Sequence, residues 1–432
     1  MRAVIDRDRR RVTAAVAASL LPRWSRAAAP ANRVIVVGAG FGGATCAKYL
    51  RLLSPATDVL LIERRADFMT GPFSNLVIAG LRTAASITRH TAAIGRSLGI
   101  RLIETEVIDI DPITLAVTLA DGRHLRADRI VVSPGIGMRT GLIEGLDGHG
   151  AEAMPHAWMG DGQVIALRRR LAAVPDGGTV LIGAPANPYR CPPGPYERAS
   201  LMAHALKASG RGRAKILIAD AKDDFSKSAL FKLEWDSLYP GMIEWIPRAA
   251  GGEVVKVDAA SGEVWLRGSQ TPVRTDLASI VPAQQAAALA ARADLTDDSG
   301  WCPVDAGNFA SLRHPHIHVL GDACLGAPMP KSAFAANSQA KLCASAIAAA
   351  LRGDEAPPAR LLNTCYSMVS DTEAISVSGL YAAANGKLGV VSEGMSPLAA
   401  DGGLRRREAH QAQAWYDGIT ADSFGSPNKR MY

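Results

Sequence analysis

Short β-branched runs recur along the chain, each followed by a glycine turn or an alanine-rich stretch. Arg33-Val34-Ile35-Val36-Val37 lacks polar alternation, which predicts a strand buried on both faces, as in a parallel sheet. Ala44 to Ser54 reads as a helix, and Val59-Leu60-Leu61-Ile62-Glu63 as a second apolar strand ending in an acid. Asp128-Arg129-Ile130-Val131-Val132 repeats the pattern and runs into Ser133-Pro134-Gly135. Thr179-Val180-Leu181-Ile182-Gly183 and Lys215-Ile216-Leu217-Ile218-Ala219-Asp220 begin a second set. His316-Ile317-His318-Val319-Leu320 predicts a late strand ending at Gly321-Asp322, with His316 and His318 as strand side chains rather than ligands. An alanine-rich helix is expected from Ala335 to Leu351, stopped at Gly353, and a polar linker to Pro358 opens a C-terminal unit. Strands alternating with helices predict an α/β fold.

The first turn carries Gly38-Ala39-Gly40-Phe41-Gly42-Gly43, and Glu63 follows 20 residues beyond Gly43. Strand, GxGxxG, helix, strand and acid together form the dinucleotide-binding fingerprint. Gly38 permits the tight turn, Gly40 lets the backbone approach a pyrophosphate, and Gly43 lets helix and strand pack closely. The helix N-terminus then offers free N–H groups to phosphate, and Glu63 accepts from a ribose diol. The second set is spoiled: after Gly183 come Ala184-Pro185-Ala186-Asn187-Pro188, where proline lacks an N–H and Cβ atoms crowd a phosphate. Its fold is expected to be kept and nicotinamide binding lost. A strand ending in Gly321-Asp322, far downstream of the first fingerprint, selects FAD for the first site, with Asp322 toward the ribityl chain. The expected architecture is thus two Rossmann-like dinucleotide-binding-type domains, as in disulfide-reductase-like flavoproteins, plus a C-terminal α+β domain. The expected boundaries are 31–145 with 284–352 for FAD, 146–283 for the degenerate domain, and 353–432 for the last.

The 432 residues are 48% hydrophobic and 21% charged, which excludes extended disorder. Residues 1–29 hold seven arginines and two aspartates, a net +5 of the chain's formal +7. The remaining body is near neutral and carries no footprint for nucleic acid. Arg9-Arg10-Arg11, a mild apolar stretch from Val12 to Leu21 and Ala27-Ala28-Ala29 read as a twin-arginine-type signal over 1–29, hence a periplasmic protein. No apolar stretch reaches the roughly 18 residues of a transmembrane helix. Six cysteines without a CxxC, and no C-x-x-C-H, give no support to zinc, a thioredoxin-like site or a resident haem.

Cys191 lies in a rigid proline loop, Tyr189-Arg190-Cys191-Pro192-Pro193-Gly194-Pro195-Tyr196-Glu197-Arg198, and Cys365 in Asn363-Thr364-Cys365-Tyr366. A structural bridge between them and a redox-active pair are both open on spacing alone. These two elements, with Gly300-Trp301-Cys302-Pro303-Val304-Asp305, Gly321-Asp322-Ala323-Cys324 and Pro328-Met329-Pro330-Lys331-Ser332, resemble the flavoprotein subunit of flavocytochrome c sulfide dehydrogenase. The resemblance implies a redox-active Cys191–Cys365 disulfide beside the flavin, with Glu197 as a candidate acid/base. Where many members carry a cysteine that binds the flavin covalently, Gly71 stands here, so FAD is expected to be non-covalent. The implied activity is oxidation of sulfide, with electrons passed to a c-type cytochrome subunit or soluble cytochrome c. A sulfide:quinone oxidoreductase shares this chemistry, but the polar run Leu404 to Gln411 favours a soluble acceptor. A non-catalytic flavoprotein partner of a sulfur-oxidation complex is the remaining alternative, and a nicotinamide-dependent disulfide reductase is disfavoured by the spoiled turn.

Overall fold

In the computed structural model, which describes residues 32–95, 98–160 and 162–425, the first apolar run forms β1 (Arg33–Val37). The expected signal over 1–29 lies outside those residues. After β1 come α1 (Phe41–Leu53), β2 (Asp58–Glu63), β3 (Arg101–Glu104) and β4 (Arg129–Val132). The four strands pair in parallel with a late strand, Ile317–Val319, in the order Ile317–Val319, β4, β1, β2, β3. Val34 to Val37 are buried, as a strand covered on both faces requires. The helix begins at Phe41, before the expected Ala44, because Gly42 and Gly43 belong to its first turn. A Cβ on Gly43 would stand 1.8 Å from the Gly38 carbonyl oxygen, so only glycine lets α1 press this closely on β1. On the late strand His318 is buried, and its Nδ1–H donates to the Asn308 carbonyl at 3.1 Å.

The second set of runs forms β5 (Thr179–Ala184), α2 (Gly194–Ala208), β6 (Lys215–Asp220), β7 (Ile243–Ile246) and β8 (Leu277–Ile280). Its parallel sheet has the order β7, β6, β5, β8. The two connections between the sheets lie side by side, Ile136–Met138 antiparallel to Gln284–Ala286. Between β5 and α2 the chain makes a long loop over 185–193 in place of a glycine turn.

The alanine-rich segment is α3 (Ala333–Arg352). Ser332 caps it, accepting from the Ala335 N–H at 3.0 Å, and Gly353 ends it in the left-handed region. Small buried residues of α3 face those of α1, and Cys46 and Cys343 meet there as packing groups. The C-terminal unit is an antiparallel sheet of β9 (Arg360–Met368), β10 (Ala374–Ala384) and β11 (Lys387–Met395), followed by α4 (Gly402–Phe424). The end of α4 is fastened to the first domain. Lys48 Nζ donates to the Asp422 and Gly425 carbonyls at 2.8 and 3.1 Å, and Phe424 meets the rings of Phe41 and Phe68 edge-on. The polar run on α4 is not wholly solvated: Arg405 is buried and pairs with Glu234 at 2.6 Å, with Glu408 buried beside it. Among the described residues no helix is long and apolar enough to cross a membrane.

Candidate active site

A cavity of about 550 Å³ runs from the β1–α1 turn to the two cysteines, a size ordinary for a small-molecule site. Gly38 makes the turn at φ +94°, where a Cβ would collide with the Ser133 carbonyl oxygen. Gly40 lines the cavity, and nothing lies within 4 Å of where its Cβ would be, so a ligand can approach the backbone. Gly43 is not on the wall; it sets the distance between helix and strand behind it. Glu63 lines the same end. Its Oε2 accepts from the Ala39 N–H at 2.8 Å and its Oε1 from the Arg65 N–H at 3.1 Å, which holds the carboxylate against the turn.

Asp322 borders the cavity farther along. Its Oδ2 accepts from Arg190 Nε at 2.6 Å, while Oδ1 is buried without a protein partner. Lys331 Nζ holds this loop by donating to the Asp322 and Cys324 carbonyls at 2.8 and 2.7 Å. An unpaired buried acceptor is costly unless a ligand donor meets it. An open glycine turn, a carboxylate at the end of β2 and this orphaned oxygen together fit FAD.

The far end belongs to the cysteines. Cys191 sits in the left-handed region at φ +57°, an unusual conformation for a side chain with a Cβ. Its N–H donates to the Lys331 carbonyl and its carbonyl accepts from the Gly194 N–H, both at 2.8 Å, so the strained turn is pinned from two sides. Tyr189 Oη adds a bond to the Pro192 carbonyl at 2.7 Å. Cys365 lies on β9, where alternation puts Asn363, Cys365 and Ser367 on one face. Both cysteines line the cavity, with no bond between them in this structure. Burial pushes the Cys191 thiol well up, helped by the charges of Glu197 and Cys365. Burial also raises Cys365, opposed by Lys227 and by hydrogen bonds with Asn363 and Ser332.

Glu197 is in the first turn of α2, but it faces the cavity and not the solvent. Oε1 accepts from the Met368 backbone N–H at 2.9 Å and Oε2 from Asn75 Nδ2 at 2.8 Å. Burial raises its pKa, with Asn75, Met368, Lys227 and Arg198 all pulling the other way. Asn75 is in turn held by Arg198, whose Nε donates to Asn75 Oδ1 at 3.1 Å. Arg198 is 1% exposed, donates to the His156 carbonyl and Ser279 Oγ at 2.6 and 2.8 Å, and lies over the Trp158 ring. Burial lowers its pKa to about 9.

Sequence reasoning did not single out Asn75, Arg198, Lys227 or Trp415, whose buried Nε1 is unpartnered at the cavity wall. Only Arg198, beside Glu197 in the proline motif, carried a signal. Gly71 lines the cavity with nothing within 4 Å of a built Cβ. In the second domain Asp220 ends β6, where such folds place the acid that meets a ribose. It is fully buried and taken up by Tyr196 Oη, Lys222 Nζ and Trp245 Nε1 at 2.5, 2.6 and 2.9 Å. Among the described residues no three or more His, Cys, Asp or Glu group to hold a metal ion.

Residues 164–282 match the family described as sulfide dehydrogenase [flavocytochrome c] flavoprotein chain, central, and residues 357–424 match flavocytochrome c sulphide dehydrogenase, flavin-binding. Residues 32–165 match pyridine nucleotide-disulphide oxidoreductase. The sulfide dehydrogenase [flavocytochrome c] flavoprotein chain of Chlorobaculum thiosulfatiphilum is 60% identical over 46 residues, 11% of this chain and 96% of that sequence. The chain belongs to the flavocytochrome c sulfide dehydrogenase flavoprotein family. It shares 22% identity over 321 residues with the mitochondrial sulfide:quinone oxidoreductase of Mus musculus, covering 71% of this chain and 68% of that one. The sulfide:quinone oxidoreductase structure from Aquifex aeolicus superposes with a TM-score of 0.71 at 19% identity, covering 92% and 93% of the two chains, a likeness of fold. Membership in the sulfide dehydrogenase flavoprotein family makes the protein a flavin-dependent oxidoreductase with FAD as its cofactor.

Proposed function

We propose that this flavoprotein is a periplasmic sulfide dehydrogenase that oxidises sulfide through a Cys191–Cys365 disulfide and delivers the electrons to a c-type cytochrome. The observation that carries the reading is the approach of Cys191 and Cys365 to one end of a flavin-type cavity, with Glu197 bonded to the strand of Cys365.

Hydrosulfide attacks one sulfur of the oxidised pair. A new S–S bond forms as the old one breaks, leaving a persulfide on one cysteine and a thiolate on the other, with charge conserved. FAD, held by the β1–α1 turn, Glu63 and Asp322, supplies a two-electron acceptor that can be emptied one electron at a time. Glu197, raised by burial toward neutrality, is suited to give or take the proton of the incoming sulfur. Asn75 and the Met368 N–H fix the direction of that carboxylate. The proline loop keeps Cys191 from drifting when its bond to Cys365 opens. With Asp220 engaged internally, nicotinamide is not an electron source in this reading.

The test is the visible spectrum of the purified flavoprotein under anaerobic conditions. Sulfide should bleach the flavin, and added cytochrome c should restore it while being reduced. A spectrum indifferent to sulfide would make the protein a non-catalytic partner. Reduction of a short-chain quinone in preference to cytochrome c would assign the other acceptor.

A further inference from the structure

Lys227 precedes the helix Ser228–Leu238 and stands in the left-handed region at φ 64°, ψ 27°. That region carries a steric cost for any side chain with a Cβ. The side chain is buried all the same, the residue being 6% exposed. Nζ donates to Ser367 Oγ at 2.7 Å. Ser367 is itself buried, and strand alternation puts it on the Cys365 face of β9. Among the described residues no carboxylate comes within the 4.0 Å of an ion pair with this ammonium. Its other partner is the Phe231 ring, whose centroid lies 5.8 Å from Nζ. A buried cation held by a neutral hydroxyl and a ring, without an anion, is costly, and such groups persist where a charge faces them in some state of the protein.

Burial lowers the pKa of the Lys227 ammonium, and four groups oppose that by their charge, in order of effect Cys365, Glu197, Cys191 and Glu408. Cys365 is also faced by Tyr381 from β10 and by Glu197 from α2, and the neutral donors Asn363 and Ser332 flank it. Lys227 is thus a cation among the groups that act on this sulfur.

We infer that Lys227 is the fixed counter-ion for the negative sulfur left at Cys365 whenever the Cys191–Cys365 pair is open, a positioning residue that acts through Cys365. The inference rests on the redox reading of the pair given above. It gives Lys227 a role that its sequence context, a loop Ser-Lys-Ser, does not announce. It also explains why a strained backbone is retained there.

The test follows the two thiols one at a time. The FAD-bound protein is reduced with a phosphine and treated briefly with iodoacetamide across a range of pH, and each cysteine's modification is read by peptide mass spectrometry. In the unaltered protein Cys365 should react with a lower pH midpoint than Cys191. In Lys227→Met the Cys365 midpoint should rise by about one pH unit or more, as loss of a close opposite charge does. Lys227→Arg should keep it, and the Cys191 midpoint should move less. Sulfide-dependent cytochrome c reduction by Lys227→Met should fall at least about tenfold near neutral pH and recover as pH is raised. An unmoved Cys365 midpoint in a Lys227→Met protein with normal flavin content overturns the inference. So does a Cys191 midpoint below that of Cys365 in the unaltered protein, a measurement that needs no variant to fold. Failure of the redox reading looks different: it is sulfide oxidation surviving in Cys365→Ser.

Discussion

The Met368 N–H donates to Oε1 of Glu197 at 2.9 Å, so the helix that follows Cys191 and the strand that carries Cys365 are joined at one carboxylate. Burial holds that carboxyl above the ordinary glutamate range. The folded protein therefore favours the protonated form. The stability this confers is complete below the ordinary glutamate pKa and is lost as pH rises through the raised value. Glu197→Gln mimics the neutral acid and removes the titration. Whatever the offset at pH 4, its unfolding temperature should climb relative to the unaltered protein between pH 4 and pH 8. A constant offset across that window would show that Glu197 titrates normally.

Cys191→Ser and Cys365→Ser should each bind FAD and each lose sulfide-dependent cytochrome c reduction by at least about a hundredfold, the scale expected when a nucleophilic group is removed. The double variant should be little worse than either, since the two act as one unit. A bridge serving only stability would instead cost about 2–5 kcal/mol on removal and leave the folded fraction active. Cys46→Ser, in the α1–α3 contact, is the control. Activity per bound flavin and melting temperature separate the two outcomes.

The cavity wall at Gly71 offers open space and no thiol. Acid precipitation of the unaltered protein should release its flavin to the supernatant. Gly71→Cys should fold, because nothing meets the new Cβ, and should retain flavin in the pellet. Flavin in the pellet of the unaltered protein would point to a covalent link elsewhere.

NADH should not bleach the flavin at a useful rate. The acid that would meet a nicotinamide ribose, Asp220, already accepts from Tyr196, Lys222 and Trp245, and Pro185 and Pro188 occupy the turn after β5. Stopped-flow absorbance under anaerobic conditions measures this, with sulfide as the positive control.

The parts of the site that were legible in the sequence are those made by local backbone chemistry. The turn of Gly38 and Gly40, the acid at the end of β2 and the strand ending at Asp322 each follow from a run and its punctuation. Cys191 and Cys365 stood out by their loop contexts, but their pairing as a redox unit was readable only through resemblance, since they lie 174 positions apart and no spacing rule spans that distance. Asn75 and Lys227 left no trace for a related reason: each acts through a contact between segments far apart in the chain. Arg405 shows the converse, a charge in a polar run that the fold buries against Glu234.

The loop over 185–193 occupies the position between strand and helix where a nucleotide-binding domain would curl its backbone around phosphate. Here the same stretch is long, stiffened by Pro185, Pro188, Pro192 and Pro193, and brings a sulfur to the wall of the neighbouring domain's cavity. Shortening it to a glycine turn would withdraw Cys191 from the cavity. Under the proposed reading, cradling the phosphates of a pyridine nucleotide and carrying the sulfur that meets sulfide are therefore competing uses of one piece of chain, and a lineage that regained the first through a glycine turn would forfeit the second.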